Sequence, residues 1–192
     1  MNSINTNYNT PNFGARHLVK TSVLHKVADM AKSEPIEANL VELDLHSPTD
    51  LKTIQDVKEK WVGAEFAQMI CSPFYSPDRK LYALTKQKEG FEQLNPSDVL
   101  GAADVNLKDK RVNVRFLQAD PNIIFDKNRP IKGIGDSLMK SLASHLGENG
   151  YETMVIFANR FVTPFYEKIF PNIKHKPSTV DDCANLVVDL KG

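Results

Sequence analysis

Cysteine is scarce in this 192-residue sequence: only Cys71 and Cys183 occur, far apart and outside any CxxC or Cys/His cluster. They support neither a zinc site nor a disulfide framework, and a reduced, cytoplasmic setting is the expectation. Net charge is lacking too, since 24 Lys and Arg face 24 Asp and Glu. With no overall field to attract nucleic acid or an anionic membrane, neither is an expected partner, and any anion site must be local. No apolar run approaches the roughly 20 residues of a membrane-spanning helix. The five histidines, His17, His25, His46, His145 and His175, form no metal-ligand spacing, so no metal is expected. Residues 1–15, Asn- and Thr-rich and without an apolar run, read as a disordered leader and not as a secretory signal. The remaining residues, 16–192, are long enough for one well-buried domain.

What is present is patterned hydrophobicity. Leu18, Val19, Leu24, Val27 and Met30 sit near helical spacing, which predicts a short amphipathic helix over 16–32. Residues 38–45 alternate as a strand does, and Ser47-Pro48-Thr49-Asp50 opens a helix carrying Leu51, Ile54, Val57 and Trp61, with continuation toward Ile70. Three strands follow, over 80–87, 99–107 and 111–119, the last two joined by the charged turn Lys108-Asp109-Lys110. A long loop then leads to Gly133, after which Ile134, Leu138, Leu142 and Leu146 form the apolar stripe of a helix that Asn149-Gly150 stops. The continuous apolar run 154–158 reads as a strand covered on both faces. A short helix with Phe161, Phe165 and Ile169 and a last strand over 184–190 complete the chain.

The chemistry concentrates where a strand meets a helix at Lys132-Gly133-Ile134-Gly135. A helix start offers unpaired amides and partial positive charge, so a phosphate or pyrophosphate is stabilised there. Glycines keep side chains out of the way, and Lys127, Arg129 and Lys132 add charge. Gly-Ile-Gly by itself equally fits a tight connection with no ligand. The third glycine of a dinucleotide fingerprint is absent, since position 138 is Leu, and no Gly-Lys-Ser/Thr of a Walker loop follows. A second cluster lies downstream: Asn159 ends the buried strand, and seven residues later Tyr166 sits within Phe165-Tyr166-Glu167-Lys168-Ile169-Phe170.

Taken together, Gly133-Ile134-Gly135, Asn159 and Phe165–Phe170 make residues 99 to 171 resemble the Gcn5-related N-acetyltransferases. That family writes its acetyl-CoA loop Gln/Arg-x-x-Gly-x-Gly/Ala and often places a Phe-Tyr-Glu-Lys-like run on the following helix. The resemblance implies an α/β (α+β) fold with a mixed, mostly antiparallel central sheet flanked by helices. It implies acetyl-CoA as cofactor and an amine-bearing small molecule or protein as acceptor, and it leaves a homodimer open. Carried over, the main chain at Leu117 and Ala119 pairs with the pantetheine arm. The first-turn amides of Lys132, Gly133, Ile134, Gly135, Asp136 and Ser137 hold the pyrophosphate, and Asn159 hydrogen-bonds cofactor or substrate. The sequence departs from the family at Pro130, which stands where Gln or Arg is usual. The connection to Gly133 is also longer, so either Arg129 reaches the phosphates across a bulged loop or Lys132 and the amides serve.

Tyr166 is the expected hydrogen-bond donor to a leaving thiolate, the alternative being a core tyrosine whose hydroxyl bonds to backbone. For a general base, the third of the three strands has no glutamate, which leaves Asp104, read as lying on a polar face, and Asp120. Residues before 80, with Trp61, Glu65, Phe66, Met69, Phe74 and Tyr75, are expected to wall the acceptor site. The competing reading keeps the same fold as a CoA-binding or partner-binding module without turnover.

Overall fold

In the computed structural model, residues 14–26, 33–61 and 78–191 are described. A nine-stranded sheet runs through them in the order β6-β1-β2-β3-β4-β5-β7-β9-β8. Its strands are β1 (Arg16–Lys26), β2 (Ser33–Leu43), β3 (Arg79–Thr85), β4 (Val99–Lys108), β5 (Arg111–Ala119), β6 (Ile131–Lys132), β7 (Thr153–Asn159), β8 (Lys174–Pro177) and β9 (Cys183–Asp189). Every pairing is antiparallel except β5 with β7. The helices are α1 (Pro48–Lys60), α2 (Pro121–Ile124), α3 (Ile134–Glu148) and α4 (Thr163–Ile169). This is the mixed, mostly antiparallel sheet flanked by helices that the resemblance implied. No described helix is long and apolar enough to cross a membrane, and no cluster of three metal-ligating side chains occurs among the described residues.

Each sheet face has its own core. On one, Ile134, Leu138, Met139, Leu142 and Leu146 of α3 are at most 3 % exposed and pack with Leu40, Tyr82, Leu84, Val105, Val112, Val114 and Ile156. Each such side chain contributes about 1.5–3 kcal/mol on leaving water, so this stripe holds α3 on the sheet. On the other face Ile54, Val57 and Trp61 of α1 meet Val41, Leu43, Leu81, Ala83 and Ala102. The position of α1 follows from its start. Ser47 caps it by accepting from the Asp50 amide at 3.3 Å, Pro48 occupies its first turn, and Asp50 Oδ2 accepts from the Asp44 amide at 2.7 Å.

The structure corrects several expectations. Residues 16–26 form a strand, not a helix: Val19, Thr21 and Val23 alternate, and β-branching favours the sheet over the helical spacing read from Leu18 and Leu24. Pro35 lies inside β2, but on the stretch that β3 does not reach, so its missing N–H costs no bond on that side. The long loop holds α2 and β6, and β6 is pinned to β1 through Leu24 and His25. Strand β8 had no alternating apolar signal because all four residues are exposed. His145 of α3 is half-buried with its ring 6.2 Å from that of Tyr82, and burial lowers its pKa. The helix read toward Ile70 and the side chains of Glu65, Phe66, Met69, Phe74 and Tyr75 lie outside the described residues. So does the leader, apart from Gly14 and Ala15, where Ala15 joins the α1-side core.

Asp50 yields a stability test. It is fully buried, and burial pushes its carboxyl up to about 6, the Asp44 amide opposing and the Asp44 charge adding to the rise. A carboxyl raised in the folded state adds stability below its unfolded pKa and loses it as pH rises through the folded one. Denaturant titrations between pH 4 and 7 are therefore expected to show stability falling from this group, and Asp50→Asn to flatten that slope. An unchanged slope in the variant refutes the assignment.

Candidate functional site

Strands β5 and β7 run side by side only from Arg111–Val114 against Thr153–Ile156. Beyond that point Phe157–Asn159 pair only with β9, and Phe116–Ala119 only with β4, so a cleft opens between them. The cause is a bulge in β5: Val105 faces Val114 and Asp104 faces Phe116, leaving Arg115 as the extra residue. A bulge bends the strand and raises its twist. It also shifts the alternation, so that Val112 and Val114, then Leu117 and Ala119, share the α3-side core while Phe116 turns to the other. The Asp120 amide bonds to the Leu100 carbonyl at 2.8 Å, which fixes the parity at the end of β5. Residues 118 and 120 turn their main chain toward β4, and Leu117 and Ala119 turn theirs into the cleft. The Ala119 carbonyl already accepts from Gln118 Nε2 at 2.7 Å.

The start of α3 borders this cleft. A Cβ on Gly101 of β4 would lie 3.0 Å from Ile134 Cγ2, so the glycine lets the helix settle directly onto the strand. Gly133 caps α3 in the left-handed region at φ 76°, with no side-chain cap, and space around its missing Cβ is open. The first helical bond runs from the Ser137 amide to the Gly133 carbonyl at 2.8 Å, which leaves the amides of Ile134, Gly135 and Asp136 without helical acceptors. Asp136 pairs with Lys140 at 3.0 Å, so its charge is locally balanced. Ser137 Oγ donates to the Ser22 carbonyl at 2.5 Å, closing one side of the turn against β1. Lys132 is exposed on β6 immediately before Gly133, whereas Arg129 stands in a separate turn whose amide bonds to the Asp126 carbonyl. The Pro130 carbonyl accepts from the Lys26 amide at 2.8 Å and stitches the extra loop to β1.

Gly135 has a different role from the one expected. Its missing Cβ makes room for the Phe165 ring, whose Cζ would lie 2.9 Å away. That ring meets Tyr166 edge-on at 5.0 Å. Tyr166 is 7 % exposed, and burial alone pushes its phenol up to about 12. Its hydroxyl bonds to no described residue, so the expected alternative of a backbone-satisfied core tyrosine is not what the structure shows. Asn159 Oδ1 accepts from the Phe161 and Val162 amides at 2.9 and 3.2 Å, so that oxygen closes the turn into α4.

No protein family profile and no curated protein sequence matches the chain. Solved structures do. The ribosomal-protein-S18-alanine N-acetyltransferase of Escherichia coli superposes at TM-score 0.55 and 13% identity, over 80% of this chain and 94% of its own. The chain has the fold of the Gcn5-related N-acetyltransferases. The corresponding domain of S. lividans PAT matches at TM-score 0.55 and 12% identity over 88% and 96% of the two chains. The PaiA N-acetyltransferase of Thermoplasma acidophilum, in complex with coenzyme A, matches at 0.50 and 13% over 79% and 98%.

Within this N-acetyltransferase fold, Asp104 requires correction. It was expected on a polar face as a proton acceptor, but it is fully buried, with Arg79 Nε 3.1 Å from Oδ1 and Nη2 3.0 Å from Oδ2. Its strand neighbours Leu81 and Phe116 face the α1 side, and burying a carboxylate there requires the paired guanidinium. Asp120, the other carboxylate, is half-exposed directly after Ala119. Its Oδ1 caps α2 through the Asn122 amide at 2.8 Å, and Asn122 Nδ2 ties that cap to the Lys60 carbonyl of α1. Sequence reasoning passed over Gly101, Arg115 and Gln118. A glycine within a strand pattern was the available signal for the first; nothing local marks the other two.

Asp104→Ala, which removes the carboxylate bonded to the buried Arg79 guanidinium, is expected to cost about 1.5–3 kcal/mol in urea unfolding; a cost below 1 kcal/mol refutes the buried pair. Gly135→Ala forces the Phe165 ring to move and is expected to cost about 1 kcal/mol. Pairing it with Phe165→Ala tests that origin, because the cost of the alanine must then disappear.

Proposed function

We propose that the protein is an acetyl-CoA-dependent N-acyltransferase that moves an acetyl group to an amine by direct attack. The observation that carries this reading is the parting of β5 from β7, together with a helix start whose first amides lack helical acceptors and a buried tyrosine whose hydroxyl bonds to no described residue. The residues present fit the cofactor. Leu117 and Ala119 offer main-chain groups to the amide-rich pantetheine arm, and the amides after Gly133, aided by Lys132, suit the pyrophosphate. Acetyl-CoA supplies the activated acyl group. Tyr166 holds a proton near the departing sulfur: a phenol at about 12 lies too far above a thiol near 8.5 for full transfer, so it acts by hydrogen bonding. Asp120, partly exposed directly after Ala119, is the carboxylate this reading assigns to receive the proton of an incoming ammonium. A cytoplasmic location accompanies this reading.

A second reading, a CoA-binding or partner-binding module without turnover, draws on two observations. Phe165 lies against the first turn of α3, and the Ala119 carbonyl is already bonded to Gln118.

Thiol release from acetyl-CoA with a panel of amines separates the two, alongside calorimetry of CoA. Tyr166→Phe is expected to lower turnover by roughly 100-fold while CoA affinity stays within about twofold. Because the phenol stays protonated, no alkaline decline is expected up to pH 10. CoA binding without release on any amine favours the module; no binding at millimolar CoA ends the acyltransferase and CoA-binding readings and leaves only a partner-binding one.

A further inference from the structure

On the side of the sheet away from α3 and α4, strands β5, β7, β9 and β8 present three cross-strand rows. Arg111, Thr153 and Asp189 form one, and Asn113, Val155, Val187 and Lys174 the next. Phe157, Asn185 and Lys176 form the third, and beside it, where β5 no longer pairs with β7, stands the exposed bulge residue Arg115. The facing is fixed independently by His175, which lies between the two lysines of β8 and reaches Glu167 of α4 on the opposite side at 3.0 Å. The α1-side core takes in residues of β2, β3 and β4 and Phe116, but none of β7, β8 or β9. Phe157 is accordingly 53% exposed, and Arg111, Arg115, Lys174 and Lys176 are all exposed.

Charge makes this face unusual. Most other cations around it are matched, Lys110 and Lys191 by Glu152 and Arg160 by Asp182. Arg111, Arg115, Lys174 and Lys176 have no ion-pair partner among the described residues. Asp189 is the one carboxylate in the three rows, in the row farthest from the cleft. In a chain with zero net charge, four unmatched cations around an exposed aromatic are a local feature that calls for negative charge from elsewhere. Two stand on β5 and two on β8, about 14 Å apart across four strands. An extended chain lying between them would rest on Phe157 and Val187 and lead to the cleft.

We propose that this face docks an acidic polypeptide, with Arg115 and Lys176 receiving its carboxylates and Phe157 its apolar side chains, and that the acyl acceptor is an amine carried on such a chain. The last clause rests on the acyltransferase reading. The apolar strip between the cations, and the amine that the reaction needs, favour polypeptide over nucleic acid.

The test uses the full chain and three fluorescent probes of equal length: a Glu/Phe peptide with a free N-terminal amine, its Lys/Phe counterpart, and a single-stranded oligonucleotide. Binding is read by anisotropy with and without CoA. The Glu peptide is expected to bind at least tenfold tighter than the Lys peptide, and more weakly as salt is raised. Arg115→Glu and the double variant Lys174→Glu/Lys176→Glu are each expected to weaken it roughly tenfold, with unchanged thermal melting as the control for folding. Equal affinity for the two peptides, no detectable binding of either, full affinity in both variants, or an oligonucleotide bound as tightly as the Glu peptide overturns the proposal. CoA calorimetry on the same samples reports separately on the acyltransferase reading: loss of CoA binding with the peptide preference intact defeats that reading and leaves the docking face standing.

Discussion

The separation of β5 from β7 beyond Val114 and Ile156 is the constraint on which the other features of the site depend. One extra residue, Arg115, causes it. Had β5 stayed in register, Phe116 and Gln118 would have faced α3 in place of Leu117 and Ala119. With the bulge, a pair of main-chain segments is left without a sheet partner on one side at the heart of an otherwise continuous sheet. An extended ligand rich in amides meets that need as a further strand would.

The electrostatics of the site are correspondingly local. The start of α3 gathers its positive potential from amides and from Lys132, and Asp136, which opposes it, is balanced by Lys140 one turn away. The extra loop before Gly133, which departs from the family pattern, is held by main-chain bonds to the edge of β1 and not by a side chain aimed at a ligand. Burial acts on Tyr166 in the same sense: it keeps the phenol protonated, and the hydroxyl bonds to no described residue. The four cations without an ion-pair partner among the described residues lie on the face of the sheet opposite this tyrosine.

Much of this was legible in advance. The α3 stripe, the turn at Lys108–Lys110 and the glycine start of α3 all have signals confined to a few neighbouring residues, and each stands where it was expected; β7 is a strand as expected, but Phe157, 53% exposed, shows that it is not covered on both faces. The failures share a different character. The strand β1 was read as a helix because its apolar residues fit both periods, and only pairing with β2 selects between them. Asp104 was read as solvated because a carboxylate in a strand ordinarily is; Arg79, 25 positions earlier, reverses that. Gly135 was assigned to an anion, when the ring it accommodates comes from a helix 30 positions later.

The sequence by itself determined which face of the long helix turns inward, where that helix begins, and that any anion site must be made locally in a chain without net charge. Tertiary structure alone decided which element covers each face, where β5 and β7 part, which carboxylate is buried, and which cations remain unmatched. The physical reason is that periodicity and capping act over four or so residues, whereas burial and charge pairing depend on segments that only the folded sheet brings together.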